Sequence, residues 1–338
     1  MREQQRRIFP YKPQTNVSFP SMGRMWLICG CAFATILQSA LGDGGHSLII
    51  AFVSLYSAIL TEFLLTWRDY GTARVKDGSA AVTALMLTLL LPNQINPVYA
   101  ALGVMFSITV VKYSFGGLGS NWLNPALGGW LFIRVSWPSA FSGALANSPA
   151  SISEMSSSAQ LSVMDSTITE SLNHYIFSPF GVHMPSGYID IFFNNGPGII
   201  ADRGLFILLI STIIITAAGI NRGWIPLVFL FIYSLLIRAS GGLSGGNLLY
   251  GIFSGGAIAA AFIVAAEPAS GAKLRKGILF TVILAAVLSW FFRYVCREYL
   301  GSFIAIAFVN CITPIIKLIE DRFFLSYKSG GKFTENIL

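Results

Sequence analysis

The sequence predicts an all-α polytopic membrane protein of about ten transmembrane helices, arranged as two inverted five-helix halves with interrupted helices. Three observations carry that expectation. First, 54% of the 338 residues are hydrophobic and only 11% are charged, against about 25% charged in soluble domains. Second, the apolar residues fall in blocks such as 203–219, 224–237, 247–266 and 277–292, close to the roughly 20 residues that a membrane helix needs. Third, five blocks precede a polar segment at 137–202 and five follow it. An odd number of crossings in each half makes the second half enter from the opposite side.

In chain order the spans are 24–41, 47–66, 79–92, 97–112, 123–136, 203–219, 224–238, 247–266, 277–293 and 301–318. The third and fifth are short for a bilayer, which predicts tilt or a re-entrant piece buried in protein. The basic stretch MREQQRRIFPYK precedes the first block. Its apolar region starts too late for a cleaved signal peptide, so residues 1–23 read as a retained cytoplasmic tail. The remaining divisions are a first half at 24–136, an extracytoplasmic loop at 137–202, a second half at 203–318 and a cytoplasmic tail at 319–338.

Charge supports this topology. With the N-terminus inside, seventeen of the 22 Lys and Arg residues fall on the inner side and five on the outer, as the positive-inside rule requires. The five are Arg134, Arg203, Arg238, Arg293 and Arg297. The net charge of +7 thus reports orientation in a cell membrane, with its lipid as neighbour, and not a nucleic-acid partner.

The halves echo each other. Asp77-Gly78-Ser79 opens an apolar run ending at Leu91-Pro92, and Gly245-Gly246-Asn247 opens one ending at Glu267-Pro268. Leu118-Gly119-Ser120 leads to Asn124-Pro125, and Leu300-Gly301-Ser302 leads to Asn310 and Pro314. Each half thus has a Gly-opened, Pro-closed third helix and a break in its fifth. Inverted repeats with interrupted helices hold a solute or cofactor near the bilayer midplane.

The segment KYSFGGLGSNWLNPALGGW, 112–130, is the most unusual in the chain. Its glycines permit bends and close approach. Asn121 and Asn124 offer amides that need partners when buried, and a heterocycle with carbonyls and ring nitrogens supplies them. The structural alternative is a loop with a helix cap. Asp77 is equally a helix cap, Glu267 a solvated helix end, and Asp202 and Arg203 a local pair. An acidic residue at a membrane boundary is also a candidate for cation handling. Cys29, Cys31, Cys296 and Cys311 read as small apolar fillers, or as ligands to a metal or cluster shared with a partner chain. His174 and His183 have no metal-site spacing. The absence of Walker and zincin motifs argues against a self-contained ATPase or zinc hydrolase.

Four segments together resemble one family. They are DGSAAVTALMLTLLLP (77–92), KYSFGGLGSNWLNPAL (112–127), GYIDIFFNNGPGIIADRG (187–204) and FIVAAEPAS (262–270). In that order they are similar to the landmarks of the RnfD/NqrB family, membrane subunits of the Rnf and sodium-pumping NADH:quinone oxidoreductase complexes. Chain length and the short N-terminal tail resemble RnfD more than NqrB.

The resemblance implies a subunit that is not active alone. It would relay electrons through flavin between partner subunits of Rnf or Nqr type and share in moving Na⁺ or H⁺. It also implies FMN attached through its phosphate to a hydroxyl of the outer loop by a separate flavin transferase, with a second flavin as a further expectation. Carried onto this chain, the flavin or ion site falls on Gly116, Gly117, Gly119, Asn121 and Asn124, with polar contacts from Asp77 and Glu267. The family's acceptor motif has the form D-x-x-S/T-G-A-T. Counted from Asp165, its small residues are replaced by Thr169-Glu170 and the acceptor falls on Ser171. A shifted register selects Thr169 or Thr167. The loop keeps its position, its Asp and its hydroxyls but not the motif, so a covalent flavin, a noncovalent flavin and none all stay open. A channel for a small neutral solute, with the inverted halves of urea channels, is the alternative function.

Overall fold

A computed structural model describes residues 19–67, 77–114, 123–141, 167–180, 190–193, 198–240, 245–264 and 275–328. The described residues are helical, as expected of a chain that must satisfy its backbone without water. The long apolar helices are α1 (Phe19–Gly42), α2 (His46–Thr66), α12 (Arg275–Trp290) and α13 (Gly301–Lys328). Between them lie α3 (Ser79–Leu90), α4 (Pro97–Phe106), α5 (Pro125–Ser136), α6 (Thr167–Leu172), α7 (Ile200–Arg203), α8 (Leu205–Ala217), α9 (Trp224–Ala239), α10 (Gly245–Phe253) and α11 (Ala257–Ala259). Single π-helical turns extend α4 over Ser107–Tyr113, α11 over Ala260–Val264 and α12 over Phe291–Val295. This is a multi-pass membrane protein; among the described residues, four helices are long and apolar enough to cross a bilayer and four apolar ones are shorter.

The side chains divide as a lipid solvent dictates. Leu227, Phe231 and Leu235 repeat every four residues on α9 and stay exposed. Phe52, Tyr56 and Leu64 do the same on α2. These stripes point away from the core, which contains Ile50, Leu87, Leu90, Trp130, Phe229, Tyr233 and Phe303. Helix α2 packs on α3 and α4, and α9 on α12. Helices α1 and α8 join the two parts of the chain. Small residues allow close crossings, as in membrane helix pairs generally: a Cβ on Gly129 would lie 2.7 Å from the carbonyl oxygen of Gly103.

The expected helix ends mostly hold, with two corrections. The run 247–266 is not one helix. It breaks at Ser254-Gly255-Gly256, where both glycines take positive φ, 66° and 69°. An apolar run hides such a break because the hydropathy of Gly and Ser hardly interrupts it. Conversely, α13 runs unbroken through Pro314, where a break was expected. A proline removes one backbone donor, which a long membrane helix tolerates.

The third and fifth helices are short, 12 residues each, or about 18 Å at 1.5 Å per residue. Where α3 stops, the backbone meets the start of α7. Ile200 donates its N–H to the Leu91 carbonyl at 3.0 Å, and Asn93 donates to the Gly198 carbonyl at 3.1 Å. This small antiparallel bridge, Pro92 to Ile199, satisfies backbone groups that a helix end leaves orphaned.

Candidate functional site

Polar groups concentrate at two places in the helical core. The first lies where α2, α3 and the π turn of α4 meet. The Lys112 ammonium donates to Oε1 of Glu62 at 2.6 Å and to Oγ of Ser79 at 2.6 Å. The Tyr113 hydroxyl also donates to Oε1, at 3.0 Å. The Lys112 and Glu62 side chains are 4% and 1% exposed. Oε2 of Glu62 is buried with no protein hydrogen-bond partner among the described residues. Two opposite charges so deep are tolerated only because they meet; either alone would carry an uncompensated desolvation cost.

One residue expected at a site, Asp77, sits beside this cluster, and another, Asn124, stands at the start of α5. Asp77 accepts the Ser79 N–H at 2.8 Å. Ser79 therefore links Asp77, through its amide, to Lys112, through its hydroxyl. Asn124 is 1% exposed and caps α5, accepting the Leu127 N–H at 3.2 Å. The π turn carrying Lys112 is tied to that helix start by Ser107, whose hydroxyl donates to the Pro125 carbonyl at 2.5 Å. Asn124 is thus the cap of α5, and Asp77 holds the first N–H of α3 from the position before its cap, Gly78. Gly116, Gly117, Gly119, Asn121 and Glu267 lie outside the described residues.

The second place is the break in the eighth span. Arg293 is wholly buried. Its Nη1 donates to the Ser254 carbonyl at 2.7 Å, the Gly251 carbonyl at 2.9 Å and the Tyr233 hydroxyl at 3.2 Å. Its Nη2 donates to Oγ of Ser254 at 2.7 Å. The guanidinium also lies over the rings of Tyr294 and Tyr299, at 5.6 and 5.4 Å, an arrangement that stabilises a cation. Burial raises the Tyr299 phenol above its usual range, so it stays protonated. Arg293 thus neutralises the carbonyl end of α10, the negative pole of a helix. On the other side of the break, both oxygens of Asp202 accept the Gly256 N–H at 3.1 Å. Asp202 turns to the start of α11 rather than forming the local pair with Arg203 that adjacency suggested.

The candidate flavin acceptors lie elsewhere. Helix α6 packs against Asp190–Phe193, which in turn packs on α8 and α10. Gln38 donates to the Phe192 carbonyl at 2.9 Å, and the Phe192 ring lies 5.2 Å from that of Phe253, next to the break. Thr169 is 1% exposed, whereas Ser171 is exposed. A phosphoester on Thr169 would require α6 to open, but Ser171 presents its residue to solvent. Of these two hydroxyl residues, only Ser171 lies at the surface. The side chain of Thr167 and all of Asp165 lie outside the described residues.

No group of three or more His, Cys, Asp or Glu residues suited to a metal exists among the described residues. The four cysteines are unpaired; Cys29 is buried, and Cys296 and Cys311 are exposed.

Sequence reasoning missed Glu62 altogether and used Lys112 and Arg293 only as markers of topology. A signal existed for each. Glu62 is the one acidic residue in an otherwise apolar 21-residue helix. Lys112 and Arg293 close the spans 97–112 and 277–293, and ionisable residues counted within a span are functional candidates by default.

Comparison with known proteins gives this architecture its relatives. Residues 10–324 match the model of the NQR2, RnfD, RnfE family. The chain is 25% identical over 313 residues to the D-type subunit of a proton-translocating ferredoxin:NAD(+) oxidoreductase complex from Clostridium ljungdahlii, covering 91% of each chain. It is 27% identical to the corresponding subunit of the Na(+)-translocating complex of Acetobacterium woodii, covering 83% of each. With the D-type subunit of an ion-translocating oxidoreductase complex from Alcanivorax borkumensis it shares 30% identity, over 77% of this chain and 79% of that one. A match running from before α1 into the last turns of α13 includes both polar centres, and this chain is a member of the NQR2, RnfD, RnfE family.

Proposed function

We propose that the chain is the D-type subunit of an Rnf-type complex that oxidises ferredoxin, reduces NAD⁺ and couples the electron transfer to movement of Na⁺ or H⁺. The observation that carries this reading is the extent of the match: relatives bearing that description align over 91% and 83% of the chain. Family membership favours this reading over the solute channel. The subunit works with other membrane subunits of the complex, and a flavin transferase serves its loop.

The two-half architecture belongs to the same reading. Helix α2 packs on α4 as α9 packs on α12, and α1 meets α8 across the middle, as a pseudo-two-fold axis requires. The proposed topology places both termini in the cytoplasm and 137–202 outside. Each described ion pair supports it. Lys112 and Glu62 both fall toward the inner ends of their spans, and Arg134 meets Glu298 at 3.0 Å on the outer side.

When bound, FMN supplies one-electron and two-electron redox chemistry. This chain contributes the Ser171 hydroxyl as anchor and, on the opposite side, Asp77, which holds the Ser79 backbone beside the buried Lys112–Glu62 pair, and Asn124, which caps α5. Its own spans contain too few ionisable groups for a continuous proton wire, so coupling rests on movement of helices and on partners.

The test is genetic and vectorial. Membranes from the protein's source, with and without the chain, are assayed for ferredoxin-driven NAD⁺ reduction, for Na⁺ uptake and for acidification of inverted vesicles. Loss of both activities, restored by complementation, supports the assignment. If both persist in membranes lacking the chain, it is wrong. Flux of a neutral solute through liposomes holding only this chain would favour the channel.

A further inference from the structure

The two polar centres are built from matching parts. In the first half, a glycine of positive φ, Gly78 at 77°, opens α3. A carboxylate, Asp77, accepts the N–H of Ser79 at that turn. A buried cation, Lys112, reaches the turn's serine from a π-helical turn that ends the fourth helix. The cation's second partner, Glu62, stands on the second helix.

In the second half, glycines of positive φ, Gly255 and Gly256, open α11. A carboxylate, Asp202, accepts the N–H of Gly256. A buried cation, Arg293, reaches Ser254 of that turn from the π-helical turn that ends α12. Its second partner, Tyr233, stands on α9, the second long helix of that half. The correspondence relocates the repeat. The counterpart of Asp77-Gly78-Ser79 is Ser254-Gly255-Gly256, not Gly245-Gly246-Asn247.

We propose that Lys112 and Arg293 are equivalent positioning residues, one in each half, each clasping the glycine-opened turn that begins an interrupted membrane helix. The inference deepens the two-half reading proposed above and rests on it. The clasps differ in one respect that decides what each can do. Lys112 touches a carboxylate directly. A proton can pass from its Nζ to Oε1 of Glu62, breaking the N–H bond and forming O–H, so that both become neutral and the charge attraction vanishes. Arg293 cannot release a proton, because its guanidinium is always charged, and its second partner is a phenol. The first clasp can therefore let go of α3, while the second holds the Ser254-Gly255-Gly256 turn ahead of α11 permanently. The half that moves during coupling is the first.

Hydrogen–deuterium exchange on the assembled complex reads the clasps, and ion transport per electron reads the release. With the neutral pair Glu62→Gln/Lys112→Met, which leaves no charge buried alone, the amides of Ser79 to Thr83 should exchange at least tenfold faster. Those of Gly256 to Ala260 should stay at the wild-type rate. With Arg293→Met the pattern should reverse, and Arg293→Lys should restore protection. Lys112→Arg should preserve protection but lower the ions moved per electron at least fivefold. Unchanged exchange in the neutral pair and in Arg293→Met would overturn the clasps. Wild-type coupling in Lys112→Arg would overturn the release. The exchange arm does not depend on activity: a wild-type complex without ferredoxin-linked transport would sink the functional assignment and leave the clasps to be judged by exchange.

Discussion

The ammonium of Lys112 lies 2.6 Å from Oε1 of Glu62, 50 residues earlier in the chain, with both side chains almost fully out of solvent. The pair joins two helices that also pack on each other. Removing one partner strands the other charge, at a cost of about 3–5 kcal/mol in measured buried pairs. Glu62→Gln and Lys112→Met should each lower the thermal stability of the complex by that order. The double substitution should recover most of the loss. Additive losses would mean that the two groups do not meet in the membrane.

A contrasting pair sets the scale. Arg134 and Glu298 also lie 3.0 Å apart, but their side chains are 27% and 40% exposed. Solvent screening reduces such pairs to about 0–1 kcal/mol. Glu298→Gln should shift the unfolding midpoint of the complex barely at all. A loss comparable to that of Glu62→Gln would show that partner subunits bury the pair.

The glycines at the two helix openings should differ in tolerance. At Gly78 only the left-handed backbone opposes a side chain, since a Cβ there would sit 3.4 Å from Trp26, an ordinary contact. The conformational penalty is about 1–2 kcal/mol. At Gly256 the same Cβ would lie 2.5 Å from Cζ of Phe303 and 3.0 Å from Cδ1 of Ile199. Gly256→Ala should therefore destabilise clearly more than Gly78→Ala in parallel thermal melts. Equal losses would mean that the Phe303 ring moves aside freely.

Flavin fluorescence on a denaturing gel checks the loop. With the chain expressed beside the flavin transferase of its own source, Ser171→Ala should remove the fluorescent band and Thr169→Ala should keep it. The reverse would show that α6 opens for the transferase. A dark band in the unmodified chain, with the transferase active on a control, would exclude a covalent flavin.

Helix positions were legible because burial in lipid demands long apolar runs. The starts of α2, α4, α5, α9 and α13 fall within two residues of expectation. The break at Ser254-Gly255-Gly256 was not legible in hydropathy, since it is made by backbone angles and held by residues 52 and 39 positions from Ser254, Asp202 and Arg293. Asp77 and Asn124 were read as candidates with capping as the alternative; Asn124 is the cap of α5, while α3 is capped at Gly78 and Asp77 binds the Ser79 amide from one position earlier. The partner of Lys112 could not be read at all, because a lone glutamate in an apolar helix carries no mark of what faces it.

By itself, then, the sequence determined that the chain lives in a membrane, where its helices run and which family it resembles. Each of those follows from local composition and order. Only the tertiary structure decided which buried charges meet. That choice depends on the angle and register at which α2, α3, α9 and α12 pack. In a medium where an unpaired charge costs several kcal/mol, the packing that brings Glu62 to Lys112 and the α10 carbonyls to Arg293 is the one that satisfies them.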